Sequence, residues 1–223
     1  MIIKIVQTAS NIKQTYDIEG ENFYYRANTG SFSRLQSITL VNRENTLKGV
    51  YHLSKPINYI PLRYLFGKPN LTRAFQIYKN GDAYGNVVYS KQGFNRSCYL
   101  ITTNRREEFE CYDLYRGSFH YISIYRGNVQ IALVETYLSV NDYKYTHKLY
   151  LLDDYVELAD IFSLFVVYYA GYNFAKRMHM NIHSTTYVKA WSISSYSDKY
   201  DPNWRGTHFP NENFFGKVSL FEN

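Results

Sequence analysis

From Asn22 to Leu151 apolar and polar residues alternate with a period of two, the spacing that turns one face of a strand inward and the other outward. The stretches "NFYYRA", "LQSITLV" and "LKGVYHLS" read as strands, the last two joined by the turn "NRENT". In "AFQIYKNGDAYGNVVYS" the pair Asn80-Gly81 supplies two residues that tolerate positive φ, the mark of a tight hairpin. "SCYLITT", "EFECYDLY", "SFHYISIY", "VQIALVETYL" and "YKYTHKLYLL" continue the series. Roughly ten or eleven short strands with regularly spaced turn signals predict an antiparallel sandwich or barrel. No helical pattern interrupts them, which argues against a parallel sheet built from strand-helix-strand units.

The stretch "DDYVELADIFSLFVVYYAGYNFAKR", from Asp153 to Arg177, follows a different rule. Asp153, Asp154, Glu157 and Asp160 crowd its start and Lys176 and Arg177 its end, matching the two poles of a helix dipole. The uncharged run from Ile161 to Ala175 has 15 residues. That is short of the roughly 20 needed to cross a bilayer. Extending the run over Glu157 and Asp160 would cost about 3 kcal/mol for each acid at depth. A helix from Tyr155 to Phe174 carries apolar residues on every face, so it belongs inside protein. One sheet face cannot cover such a helix; a sheet wrapped around it can.

Composition strengthens the strand reading. Tyr occurs 25 times and Phe 14 times in 223 residues, and aromatic side chains suit half-buried strands. A chain of this length buries enough surface to fold without disulfide staples. The expected division is a barrel domain over residues 1–177 with the helix at 155–174, and an extension over 178–223 packed on the barrel. In that extension "YVKAWSISSYS" reads as one more strand. The turn-rich "DKYDPNWRGTHFPNENFFGK" carries Trp204, Phe209, Phe214 and Phe215, which pin it to the domain surface. Cys98 and Cys111 read as two buried free thiols, with one bridge as the alternative if they face each other on neighbouring strands. The opening "MIIKIVQTAS" has too short an apolar run for a secretory leader, so a cytoplasmic location is expected, with peripheral membrane contact compatible with it.

The segment "YKYTHKLYLLDDYVELADIFSLFVVYYAGYNF", Tyr143 to Phe174, and the hairpin "FQIYKNGDAYGNVVYSK", Phe75 to Lys91, resemble the tubby C-terminal-like superfamily. That group takes in tubby proteins, scramblases and LURP-one-related proteins, and the likeness is nearest to small tubby-like proteins of Gram-positive bacteria. It covers roughly Asn22 to Arg177 and leaves out the tail from Met178. The resemblance implies a mainly β fold: a closed antiparallel barrel of about twelve strands around a buried C-terminal helix. Tubby proteins bind phosphoinositides through basic side chains on the barrel, and scramblases are associated with lipid movement. No lipid-contacting position is carried over from them to this chain.

Charge is unevenly spread. Arg43 to Arg106 holds 11 Lys and Arg against two acids, a balance of +9, while Glu107 to Phe162 holds ten acids against four bases, a balance of −6. A basic stretch interleaved with Tyr and Phe suits an anionic partner. Its candidate ligands are Arg63, Lys68, Arg73, Lys79, Lys91, Arg96, Arg105 and Arg106. The plainer alternative is a solvated outer wall. A peripheral anionic phospholipid surface is the favoured partner, and nucleic acid is disfavoured because no recognition motif accompanies pI 9.1. Trp191 and Trp204 point instead to a protein partner through the extension, or to cover for a barrel end. His179 and His183 are four apart, but no Cys, carboxylate or HExxH pattern completes a metal set. No G-x-S-x-G elbow or P-loop is present, and "EEFE" at residues 107–110 reads as a solvated strand edge. The expectation is a binding module with no catalytic centre, cofactor or metal.

Overall fold

In the computed structural model the strands pair with their sequence neighbours all the way round, and the first closes on the last. The structure describes residues 1–10, 14–29, 37–51, 70–92, 96–116, 119–138, 144–173 and 199–212. The strands are β1 (Ile2–Ser10), β2 (Gln14–Gly20), β3 (Phe23–Thr29), β4 (Ser37–Val41), β5 (Thr46–Tyr51) and β6 (Asn70–Lys79). They continue as β7 (Asp82–Gln92), β8 (Arg96–Thr103), β9 (Glu108–Arg116), β10 (Phe119–Arg126), β11 (Val129–Leu138) and β12 (Tyr145–Leu151). Every pairing is antiparallel. This is the closed twelve-strand barrel with one central helix that the resemblance implies.

Two strands lie ahead of the expected pattern. β1 and β2 come from residues 2–20, upstream of the alternation read from Asn22, and β1 pairs Ile3 with Leu149 and Ile5 with His147 to close the wall. The run "IIKIV" blurs its period because Ile2 and Val6 flank Lys4 on the outward face. Ile3 and Ile5 face the interior, whereas Ile2 packs under an apolar cluster outside the wall.

The interior is filled by α1 (Ala159–Asn173), with Ile161, Phe162, Leu164, Phe165 and Val167 fully buried. At 1.5 Å per residue it spans about 22 Å. Burial of each large side chain contributes about 1.5–3 kcal/mol, so the all-round apolar helix is what holds twelve strands in a ring. The helix starts later than expected. Asp153–Leu158 form a 310 segment, and the α-helix begins at Ala159, while Phe174 lies outside the described residues. The 310 segment carries Asp153, Asp154 and Glu157 across one mouth of the barrel, exposed, before the chain turns inward.

The outer wall is also apolar on one side. Tyr112, Leu114, Tyr121, Tyr125, Leu133 and Tyr150 form a second cluster, covered by α2 (Trp204–His208) and its flanks. Trp204 therefore covers the side of the barrel, not an end, and Trp191 and "YVKAWSISSYS" lie outside the described residues. Among the described residues no helix is long and apolar enough to cross a membrane.

Candidate functional site

The antiparallel order sends alternate connections to opposite ends of the barrel. The near end, where α1 begins, holds the turns after β2, β4, β6, β8 and β10, and the 310 segment closes it. Lys79, Arg105 and Arg106 sit here. Lys79 Nζ donates to Asp160 Oδ2 at 2.7 Å and lies 5.0 Å from the centre of the Tyr84 ring. Tyr84 OH donates to Asp160 Oδ1 at 3.0 Å, and the Ile161 backbone N–H donates to the same oxygen at 2.7 Å. Asp160, first read with the other acids as helix-start charge, is a buried anchor that ties the helix to β6 and β7. Burial, and then the Asp160 charge, push the Tyr84 phenol upward, so it remains a proton donor.

Arg105 is also engaged. Its Nη1 lies 3.0 Å from both Glu157 oxygens, although both side chains are exposed and such a pair contributes little. Arg126 pairs with Glu107 at 3.2 Å and lies over the Tyr155 ring. Arg106 is exposed in the β8–β9 turn at φ 63°, a left-handed conformation that sets the turn. Acids of the second half of the sequence thus neutralise Lys79 and Arg105 of the first.

The far end lies beyond the last turn of α1. Here the β6–β7–β8 register sets Lys91 opposite Asn70 and Ser97, and Arg96 opposite Gln92. Arg73 sits three positions into β6, at the irregularity between Thr72 and Phe75. The backbones of Arg73, Lys91 and Arg96 therefore fall within about 10 Å of the same rim at 3.3 Å per residue. Arg63 and Lys68 lie outside the described residues, as do His179 and His183. The six described candidates sit on or beside the neighbouring strands β6, β7 and β8, with Lys79, Arg105 and Arg106 at the near end and Arg73, Lys91 and Arg96 at the far end.

The far interior holds polar groups that the charge pattern does not reveal. His120 Nε2 lies 2.6 Å from Asp113 Oδ1 and 2.8 Å from Tyr169 OH, and its ring stacks on Tyr169 with centroids 5.1 Å apart. His120 Nδ1 meets Thr136 Oγ1 at 3.2 Å, and Thr136 Oγ1 meets His147 Nδ1 at 2.9 Å. His147 is buried, which, with the nearby His120, pushes its imidazole down to about 3. The signal for these residues was in the alternation. His120 shares parity with Ile122 and Ile124, and His147 with Leu149 and Leu151, so both face inward with the core. The arrangement can hold protons at defined atoms. Among the described residues no three His, Cys, Asp or Glu side chains come together as a metal set.

The two thiols face opposite sides of the wall. Cys111 is in the interior cluster and Cys98 in the outer one, so no bridge joins them. Burial pushes the Cys98 thiol up to about 11 and the Cys111 thiol well above its usual range, which makes both poor nucleophiles. The outer cluster is fixed by polar contacts as well as by packing. Trp204 Nε1 donates to Gln130 O at 3.2 Å, Arg205 pairs with Glu135 at 3.3 Å, and Lys148 pairs with Glu212 at 3.0 Å.

No protein-family model, curated protein or solved structure matches the chain. Its own residues carry the functional reading.

Proposed function

We propose that the chain is a non-enzymatic binding module that takes an anionic phospholipid surface at the far rim of the barrel. The observation that supports this reading is the β6–β7–β8 register, which brings the backbone positions of Arg73, Lys91 and Arg96 to one end. Lys79 and Arg105 are left out of this rim because they lie at the near end, where Asp160 and Glu157 pair with them. Peripheral contact suits a barrel whose outward positions include Lys4, Asp17, Glu19, Arg26 and Lys48. A bound headgroup would be met by guanidinium and ammonium donors, which match phosphate oxygens in geometry and charge. The resemblance to the tubby C-terminal-like superfamily points the same way.

The test is co-sedimentation with vesicles of phosphatidylcholine alone or mixed with phosphatidylserine, at low and high salt. Each basic residue near an anionic surface contributes about 1 kcal/mol, roughly a fivefold change in affinity. Arg73→Gln, Lys91→Gln and Arg96→Gln should each weaken binding to the mixed vesicles, whereas Arg105→Gln at the near end should not. Equal binding to both vesicle types, or equal effects of near-end and far-end variants, would overturn the proposal.

A further inference from the structure

At the far end one line of hydrogen bonds runs along the inner wall, over four neighbouring strands, from a part-exposed carboxylate to a fully buried imidazole. Asp113 of β9 keeps 29% of its side chain exposed. His120 of β10 and His147 of β12 are 5% and 1% exposed, with Thr136 of β11 between them. The proton positions follow from the donors and acceptors that each group has. A carboxylate carries no proton, so the 2.6 Å contact is Nε2–H of His120 donating to Asp113. In neutral His120 the Nδ1 then holds a lone pair, and the Thr136 hydroxyl must donate to it. That hydroxyl has one proton, so its oxygen receives Nδ1–H of His147. Neutral His120 therefore fixes His147 as the Nδ1–H tautomer.

A second proton on His120 leaves the Asp113 link as it is and reverses both links at Thr136. Nδ1–H of His120 donates to the Thr136 oxygen, the hydroxyl donates to His147 Nδ1, and that nitrogen must offer a lone pair. The ring proton of His147 then sits on Nε2. The protons balance: the Thr136 hydroxyl proton passes to His120 Nδ1, the His147 Nδ1 proton passes to the Thr136 oxygen, and the one proton from solvent ends on His147 Nε2, so the charge of His147 does not change.

We infer that Asp113, His120, Thr136 and His147 form a proton-coupled relay, in which protonation of His120 at the barrel mouth switches the tautomer of buried His147. Two further observations support it. His147 is held neutral by burial well below the range in which histidine ordinarily titrates, so it responds by changing tautomer and not by charging. Tyr169 stacks on His120 within the last turns of α1, so the relay touches the helix as well as the wall. The groups facing His120 among the described residues are Asp113 from β9, Thr136 from β11, His147 from β12 and Tyr169 from α1, with Tyr99 of β8 packed behind Tyr169 at 5.6 Å. The relay stands independently of lipid binding.

Long-range proton–nitrogen NMR of the full chain with labelled histidine rings tests it, the signals being assigned from His120→Gln and His147→Gln. On acidification His120 should gain its second ring proton. At the same midpoint the protonated-type and unprotonated-type nitrogen signals of His147 should exchange places. Thr136→Val should leave His120 titrating while His147 holds one tautomer, and Thr136→Ser should restore the coupling. If Thr136→Val fails to fold, the parent protein and Thr136→Ser decide. A His147 tautomer that stays constant through the His120 titration, or a His120 that never charges in the folded protein, overturns the relay. Coupling that survives in a folded Thr136→Val protein overturns the route through the hydroxyl.

Discussion

Asp160→Ala removes three hydrogen-bond donors' acceptor at once: Lys79 Nζ at 2.7 Å, Tyr84 OH at 3.0 Å and Ile161 N–H at 2.7 Å. A bond to a charged group contributes about 1.5–3 kcal/mol. Lys79 is 31% exposed, so water recovers part of its loss and its share falls at the low end of that range. Tyr84 is part-buried and recovers some of its loss in the same way, whereas the Ile161 N–H is buried and has no such recourse. The sum is about 4 kcal/mol, inside the 3–5 kcal/mol typical of breaking a buried pair from one side. A domain stability of about 5–15 kcal/mol leaves the variant folded. Its Tm should fall by about 8–16 °C, at roughly 2–4 °C per kcal/mol for a chain of this size. Urea unfolding monitored by near-ultraviolet circular dichroism gives the free energy directly. Asp160→Asn retains an oxygen for Tyr84 and Ile161 and should lose about half as much. In a double-mutant cycle, Lys79→Met should cost less in the Asp160→Asn background than in the parent by at least about 1 kcal/mol, because no buried charge remains unpaired. A loss below about 1 kcal/mol for Asp160→Ala, or strict additivity with Lys79→Met, would refute the anchor and return Lys79 to the candidate ligand set.

Three other outcomes are expected. Gly49→Ala sets a Cβ into the ring of Phe75, which packs on Tyr168 of the helix at 4.6 Å; it should destabilise by about 1–3 kcal/mol, and Phe75→Leu in the same chain should recover much of that in thermal melts. Below about pH 6.5 the unfolded chain protonates His147, while the fold resists until about pH 3, so acid removes roughly 1.4 kcal/mol of stability per pH unit in that window. His147→Leu lacks this term, and the parent's advantage over it should shrink by about 2 kcal/mol between pH 6.5 and 5; parallel pH profiles in urea unfolding would contradict the burial. Trp204→Ala removes the cover over Tyr121, Tyr125 and Tyr150, so the folded variant should bind a hydrophobic dye and lose about 3 kcal/mol, whereas unchanged dye binding would mean that α2 does not seal the wall.

The sequence by itself determined the strands from β3 onward, the hairpin at Asn80-Gly81, and an apolar helix that needs walls on every side. These are local properties, since a period of two, a left-handed turn and a missing polar face are all written within a few residues. It left β1 and β2 unread, although β2 does alternate, with Tyr16 and Ile18 inward against Asp17 and Glu19; in β1 the outward Ile2 and Val6 blur the period. Which charges pair with which was decided by topology. A count along the chain treats Lys79 and Arg105 as members of one basic half, but the order of strands round the barrel returns the acidic helix start to the turns after β6 and β8. The sequence marked His120 and His147 as inward-facing by parity alone. Only strand register and the wrapping of the sheet round α1 set the inward positions of β9, β10, β11 and β12 against the end of the helix, so that Asp113, His120, Thr136, His147 and Tyr169 meet. Periodicity fixes which way a side chain faces; register and closure decide what it finds there.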